Sequence, residues 1–136
     1  MTTSTDLTGA TAWVAGTRVT RGRLHLAPAA ILPIGAQGPL DDRGRLLHAD
    51  DPAAQLALAL AGVEAVVTDA GLAPADLAQL RVSATDLAAV LAVLDTLTDR
   101  LAEVGATPAV TVVGVAELPV PGMLVALDGL ALGTPR

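Results

Sequence analysis

The segment from Asp51 to Gly71 constrains the fold more than any other part of the sequence. Asp51 is a favourable N-cap, and Pro52 suits the first helical position. Apolar residues follow at the spacing of one helix face, at Leu56, Leu60, Val63 and Val67. Gly71 supplies a C-terminal cap. Gly62 lies inside this helix at a cost of about 1 kcal/mol relative to alanine, which predicts close backbone packing at that position.

The other apolar segments predict a second helix and five strands. The second helix carries apolar residues from Leu87 to Leu101 and ends at Gly105. Strands are predicted within residues 18–27, 31–34, 79–85, 110–115 and 123–132. Pro33 cannot donate to a ladder, so its strand is predicted at a sheet edge or at a bulge.

The resulting order, β-β-α-β-α-β-β, predicts an α+β sandwich with both helices packed on one face of a mixed sheet. The strands are apolar on both sides, so we expect association of subunits to cover the other face. Residues 1–10 are polar and without periodicity, and they are predicted to form a flexible N-terminal tail. Residues 11–136 are then one domain, the size expected for a chain of 136 residues.

The composition excludes several kinds of chemistry and partner. The chain has no cysteine, which rules out thiolate nucleophiles and Cys-based metal sites. All eight cations are arginine, so no lysine is present for a Schiff base. Trp13 is the only aromatic residue and the net charge is −6, so a nucleic-acid partner is not expected.

Sequence patterns also bear on location and on metals. No uninterrupted apolar run of about 18 residues occurs, so no membrane partner is expected. The N-terminus has no basic region typical of a secretory signal, and we expect a cytoplasmic protein. His25 and His48 are too far apart in sequence to suggest a metal site. No metal and no cofactor are predicted.

Short motifs in a fixed order resemble the Rid family of small homotrimeric proteins (RidA/YjgF). The matching stretch runs from about Ile31 to Ala131. Its pieces are Gly35-Ala36-Gln37, Pro39-Leu40-Asp41, Gly44-Arg45-Leu46, Gln55, Ala70-Gly71-Leu72, Thr85-Asp86-Leu87, Pro108-Ala109, Ala116-Glu117-Leu118-Pro119 and Asp128. The resemblance implies the YjgF-like, chorismate-mutase-like sandwich, a homotrimer, and hydrolysis of enamine and imine intermediates in a cleft between subunits.

The chain departs from the family pattern at the residue that matters most for that activity. The resemblance implies an Arg after Pro-Ala that grips the substrate carboxylate, but this sequence has Val110 there. Leu94 stands in place of an Asn, and Val112 in place of a Cys. Losing a charge-assisted pair in a partly buried cleft costs several kcal/mol, or about 100-fold or more in activity. We therefore expect the usual 2-imino acid deaminase activity to be lost.

The candidate site residues follow from the same comparison. Asp128, a lone acid in an apolar strand, is the candidate general acid or base. Alternatively, it is a structural acid at the end of a strand, bonded to a neighbouring backbone amide or to an Arg across the trimer. Candidate ligand-binding residues are Gly35, Gln37, Leu94, Val110 and Val112.

A group of arginines near the N-terminus adds one more possibility. Arg18, Arg21 and Arg23 are predicted as solvated charges that protect an edge strand from pairing. Alternatively, one of them replaces the missing carboxylate-binding Arg.

The function predicted from these residues is a trimer that binds a small molecule in an apolar inter-subunit cleft. Two alternatives remain open. One is an enzyme that acts on another carbonyl or imine substrate through Asp128 and Gln37. The other is a structural trimer without a ligand.

Overall fold

A mixed four-stranded sheet with helices on one face forms the frame of the fold. A computed structural model describes the backbone of residues 3–7 and all of residues 22–136. The strands are β1 (Thr3–Leu7), β2 (Gly22–Leu26), β3 (Ala30–Gln37), β4 (Leu77–Ala84), β5 (Ala109–Gly114) and β6 (Val125–Gly133). The helices are α1 (Pro52–Asp69), α2 (Leu87–Leu91) and α3 (Asp95–Glu103), with a 3₁₀ turn at Pro74–Asp76.

The order of strands in the sheet is β3-β6-β4-β5. β4 and β5 are parallel, whereas β6 is antiparallel to both of its neighbours. β3, which contains Pro33, lies at one edge as predicted, and β5 lies at the other edge. The α+β architecture predicted from the sequence is confirmed.

Helix α1 begins and ends where its sequence predicts. The side chain of Asp51 accepts a hydrogen bond from the Ala54 N–H at 3.0 Å, and Pro52 occupies the first turn. The helix buries one face against the sheet through Gln55, Leu56, Ala59, Leu60, Val63 and Val67. With 18 residues and a mean hydropathy of 1.2, α1 is long and apolar enough to cross a membrane. Its buried stripe identifies it instead as the core helix of this domain.

The predicted second helix is in fact two short helices. Between α2 and α3, the N–H groups of Val93, Leu94 and Leu97 bond to carbonyls three residues earlier instead of four. This tighter winding turns the chain between residues 92 and 94. As a result, Leu94 is buried while Leu87 and Leu91 are 39% and 42% exposed. The apolar residues from Leu87 to Leu101 keep a helical spacing, so the sequence pattern does not indicate this break.

The N-terminal tail predicted over residues 1–10 contains a strand. Thr3–Leu7 pair antiparallel with Gly22–Leu26, with Thr3 opposite Leu26. Its partner is the next strand, β2, and this pairing, not the polar local sequence, makes residues 3–7 a strand. Arg18 and Arg21 lie outside the described residues, and Arg23 lies in β2.

The two faces of the four-stranded sheet differ in what covers them. Leu80, Val82 and Leu127 are fully buried beneath the helices. The opposite face, which we call the open face, bears no described helix. It presents Ile31, Pro33, Gln79, Arg81, Ser83, Thr111, Val113, Asp128, Leu130 and Leu132.

Candidate functional site

Val110 and Val112 lie on the edge strand β5, on the side that faces the helices. Val110 pairs in register with Leu80 and Val112 with Val82, both of which are core residues. Val112 is only 6% exposed, whereas Val110 is half-buried and packs against the margin of the core. Val110 is therefore the more accessible of the two to a ligand.

Gly35 and Gln37 lie at the end of β3, where the strand meets α1. The register between β3 and β6 shifts between Ile34 and Gln37, which is the mark of a bulge. The Gln37 amide Nε2 donates to the Gly35 carbonyl at 3.2 Å. Gln37 is half-buried against α1, and Gly35 is exposed. An amide group is thus held beside a turn with an accessible backbone.

These two pairs of residues lie at opposite edges of the same sheet. Gln37 pairs with Leu127 and Val110 pairs with Leu80, so both are on the helix side. Three strand spacings separate β3 from β5, which amounts to about 14 Å. One chain therefore does not bring Gln37 and Val110 to a common small ligand.

Leu94 occupies the interior of the protomer. Its side chain is 2% exposed and belongs to the same core cluster as Val112. Leu94 thus shapes the core behind β5, and a ligand could touch it only if the core opened.

Asp128 lies on the open face, opposite to the side of Val110 and Gln37. It stands across the strand pair from Arg81, and the Arg81 Nε donates to Asp128 Oδ2 at 3.1 Å. Its side chain is 27% exposed and that of Arg81 is 58% exposed. Arg81 was not among the candidates predicted from the sequence, although it too is a lone charge in an apolar strand, the signal that indicated Asp128.

A separate groove of about 650 Å³ lies between α1 and α3. It is lined by alanines of α1 and by the ion pair of Glu64 and Arg100. The Arg100 guanidinium binds Glu64 with two hydrogen bonds, at 2.8 and 3.1 Å. These bonds raise the pKa of Arg100 above its ordinary range. None of the predicted site residues lines this groove, and the pair joins the two helices.

Within the described residues, no group of three histidine or acidic side chains is placed to hold a metal ion.

A match to a known protein family shows which family the chain belongs to. A family model described as Endoribonuclease L-PSP matches residues 27–132. The chain belongs to this family. Its structural neighbours carry the names YjgF and Rid, so the Rid-family membership predicted from the motifs is confirmed. No curated protein matches the chain in sequence.

Solved Rid-family structures share the whole fold. A protein of unknown function of the Rid family, YyfB from Yersinia pestis, is 23% identical with a TM-score of 0.80, covering 95% of this chain and 98% of its own. The YjgF gene product of E. coli is 28% identical with a TM-score of 0.68, covering 88% and 91%. E. coli TdcF with bound serine is 24% identical with a TM-score of 0.69, covering 95% and 94%.

Proposed function

We propose that this Rid-family chain forms a homotrimer in the cytoplasm and binds a small, weakly polar molecule in a cleft between subunits. The observation that carries the proposal is the placement of Gln37 and Val110 on one side of the sheet but at opposite edges. Neighbouring copies can bring the β3 end of one chain to the β5 edge of another. The site is then complete only in the assembly.

The chemistry of Val110 selects the class of ligand. An isopropyl group offers no hydrogen bond to a carboxylate, and burying an anion without a partner is costly. Among the four strands of the sheet, the only arginine is Arg81, which lies on the open face. We therefore assign the cleft to an uncharged ligand oriented by Gln37 and nearby backbone groups. The usual deamination of 2-imino acids is then absent.

The relatives help to set the size of that ligand. E. coli TdcF was solved with bound serine, which is a small molecule with a carboxylate. Here we expect a ligand of similar size without the carboxylate. The family description names an endoribonuclease, but a net charge of −6 with one aromatic residue favours a small molecule over RNA.

The test is to restore a guanidinium by Val110→Arg. This variant should release ammonia from a 2-imino acid generated in the assay, and serine should raise its melting temperature. Val110→Lys is the matched control, because it adds the charge without the two-pronged geometry that binds a carboxylate. Robust ammonia release by the unaltered protein would contradict the proposal.

The alternative enzyme needs Asp128 and Gln37 to act on one substrate. Within a chain these residues lie on opposite faces of the sheet, so the geometry favours the binding role. Turnover of a carbonyl or imine compound that is abolished by Asp128→Asn would reverse this preference. If no small molecule raises the melting temperature of the unaltered protein, a structural trimer without a ligand is favoured.

A further inference from the structure

The groove between α1 and α3 lies on the side of the helices that faces away from the sheet. On the α1 side it is lined by Ala57, Ala61 and Ala65, which recur every four residues and are exposed. Residues of α3 form the opposite wall. Along α1 the groove extends from Ala57 to Asp69, a distance of about 18 Å or about three helical turns. The groove therefore has the length of a short helix.

The shape of the groove suits a helix better than a small molecule. A small-molecule pocket encloses most of its ligand, whereas the alanines of this groove are open to solvent. Their short side chains allow the backbone of a partner to approach α1 closely. An amphipathic helix in such a groove buries its apolar face and leaves its polar face in water.

The two helices that form the groove carry most of the excess negative charge of the protein. Together α1 and α3 contain five acidic residues and one arginine, a net charge of −4, whereas the whole chain carries −6. The arginine, Arg100, already binds Glu64 and Glu103. In the part of the chain that the structure describes, Asp69 and Asp99 take part in no ion pair. The groove is thus apolar between acidic borders.

The negative charge is strongest at one end of the groove. β3 and β4 are both antiparallel to β6, and β4 is parallel to β5. The helices that connect these strands therefore run in the same direction and end on the same side of the sheet. Asp69 is the last residue of α1 and Glu103 is the last residue of α3. The negative ends of both helix dipoles lie there too, so this end favours cationic groups.

We propose that the groove between α1 and α3 is a docking site for a basic amphipathic helix of another protein, with lysine or arginine placed beside Asp69 and Glu103. A second copy of this chain does not fit, because α1 and α3 of two copies would bring like charges together. Nucleic acid and anionic lipid surfaces are repelled for the same reason. The inference goes beyond the proposed function and depends neither on the trimer nor on a ligand in the cleft.

A designed peptide tests the docking site. The probe is a fluorescein-labelled helical peptide of about 14 residues, with leucine and alanine along one face and lysines along the other. Fluorescence anisotropy with the full-length protein should show saturable binding that weakens as salt is added. The same peptide with glutamate in place of lysine should not bind. No saturable binding of the lysine peptide, or equal binding of the two peptides, would overturn the inference.

Substitutions in the protein separate docking in the groove from general attraction to an acidic protein. Ala61→Gln obstructs the groove without changing the charge, and Asp69→Arg reverses the charge at its acidic end. Each should weaken binding of the lysine peptide about tenfold or more. Asp42→Arg is the matched control, because Asp42 is exposed in the loop after β3 and does not line the groove. The control should change the affinity by less than about twofold.

Two results with these variants would show that the peptide binds by net charge alone, and either would overturn the inference. One is an equal loss of binding in Asp42→Arg and Asp69→Arg, and the other is unchanged binding in Ala61→Gln. Circular dichroism checks folding, and Ala65→Gln replaces Ala61→Gln if that variant unfolds.

The outcomes are independent of those that test the proposed function. Peptide binding in the groove of a monomeric protein would support this inference and contradict the cleft between subunits. A trimer that does not bind the peptide would overturn only the docking site, and the ligand cleft would stand.

Discussion

Gln37 lies so close to Gly62 that a Cβ atom on residue 62 would stand 3.1 Å from both the Cβ and Oε1 atoms of Gln37. This contact is where the end of β3 meets the middle of α1. A glycine inside a helix normally destabilises it by about 1 kcal/mol relative to alanine. Here it allows the helix backbone to approach the strand, as the sequence predicts. The contact also fixes the position of a proposed ligand-binding residue.

Substituting Gly62→Ala should therefore destabilise the protein by about 1 kcal/mol. The gain in helix propensity is about 1 kcal/mol, but crowding a packed site typically costs 1–3 kcal/mol. Urea denaturation measures the difference. Ala61→Gly, at the exposed neighbouring position, measures the effect of helix propensity alone. It should lower the free energy of unfolding by about 1 kcal/mol. A more stable Gly62→Ala protein would show that Gln37 moves aside freely.

Gln55 is the one fully buried polar residue in the described part of the chain. Its Nε2 donates to the carbonyls of His48 and Gly122 at 3.1 and 3.2 Å, and its Oε1 accepts from the Leu124 N–H at 2.7 Å. It thereby joins the loop before α1, where His48 has a φ of +57°, to the loop before β6.

Gln55→Leu should lower the free energy of unfolding by about 3 kcal/mol. Leucine has a similar volume but leaves the Gly122 carbonyl and the Leu124 N–H without partners, whereas the His48 carbonyl keeps the Asp51 N–H. Each group left without a partner costs about 1–3 kcal/mol when buried. Thr68→Ala, at an exposed position of the same helix, should change stability by no more than about 0.5 kcal/mol. Equal effects of the two substitutions in chemical denaturation would refute the structural role of Gln55.

The Asp41 carboxylate accepts hydrogen bonds from Arg43 and Arg45 in the loop after β3. These bonds should lower the pKa that a titration of Asp41 measures. The backbone N–H of Arg45 lowers the pKa of Asp41, and the Arg45 side chain and the Arg43 N–H add to the effect. In NMR-monitored titration, Asp41 should titrate below the ordinary range of aspartate. Arg45→Ala should raise this pKa only partly, because the backbone hydrogen bonds remain.

The sign of the stability effect follows from the lowered pKa of Asp41. A carboxyl whose pKa is lower in the folded state stabilises it above the unfolded pKa, and this contribution is lost as the pH falls. Asp41→Asn should therefore be destabilising at pH 7, with a deficit that shrinks below about pH 4. A deficit that does not change with pH would contradict the ionic role.

The sequence predicts much of this fold because its signals are local. Asp51 and Pro52 mark the start of α1, and the spacing of its apolar residues marks the buried face. The break between α2 and α3 was missed because residues 87–101 keep a helical spacing through a turn of tighter hydrogen bonds. The strand at Thr3–Leu7 was missed because its partner determines it.

The candidate site is less predictable, because its parts are joined by pairings distant in sequence. The chain order gives no sign that Asp128 lies on the other side of the sheet from Val110, or that Arg81, 47 residues earlier, binds it. Placement of Gln37 and Val110 at opposite edges depends on the strand order β3-β6-β4-β5. Both are consequences of strand register, which the residue pattern alone does not specify.

The mass of the protein in solution decides whether the proposed cleft can form, since that cleft exists only between copies. Sedimentation equilibrium at micromolar concentration should give a single species of about 40 kDa, three times the chain mass of 13.5 kDa. A species of 13.5 kDa across the same concentrations would mean that Gln37 and Val110 never share a ligand, and it would contradict the proposed cleft.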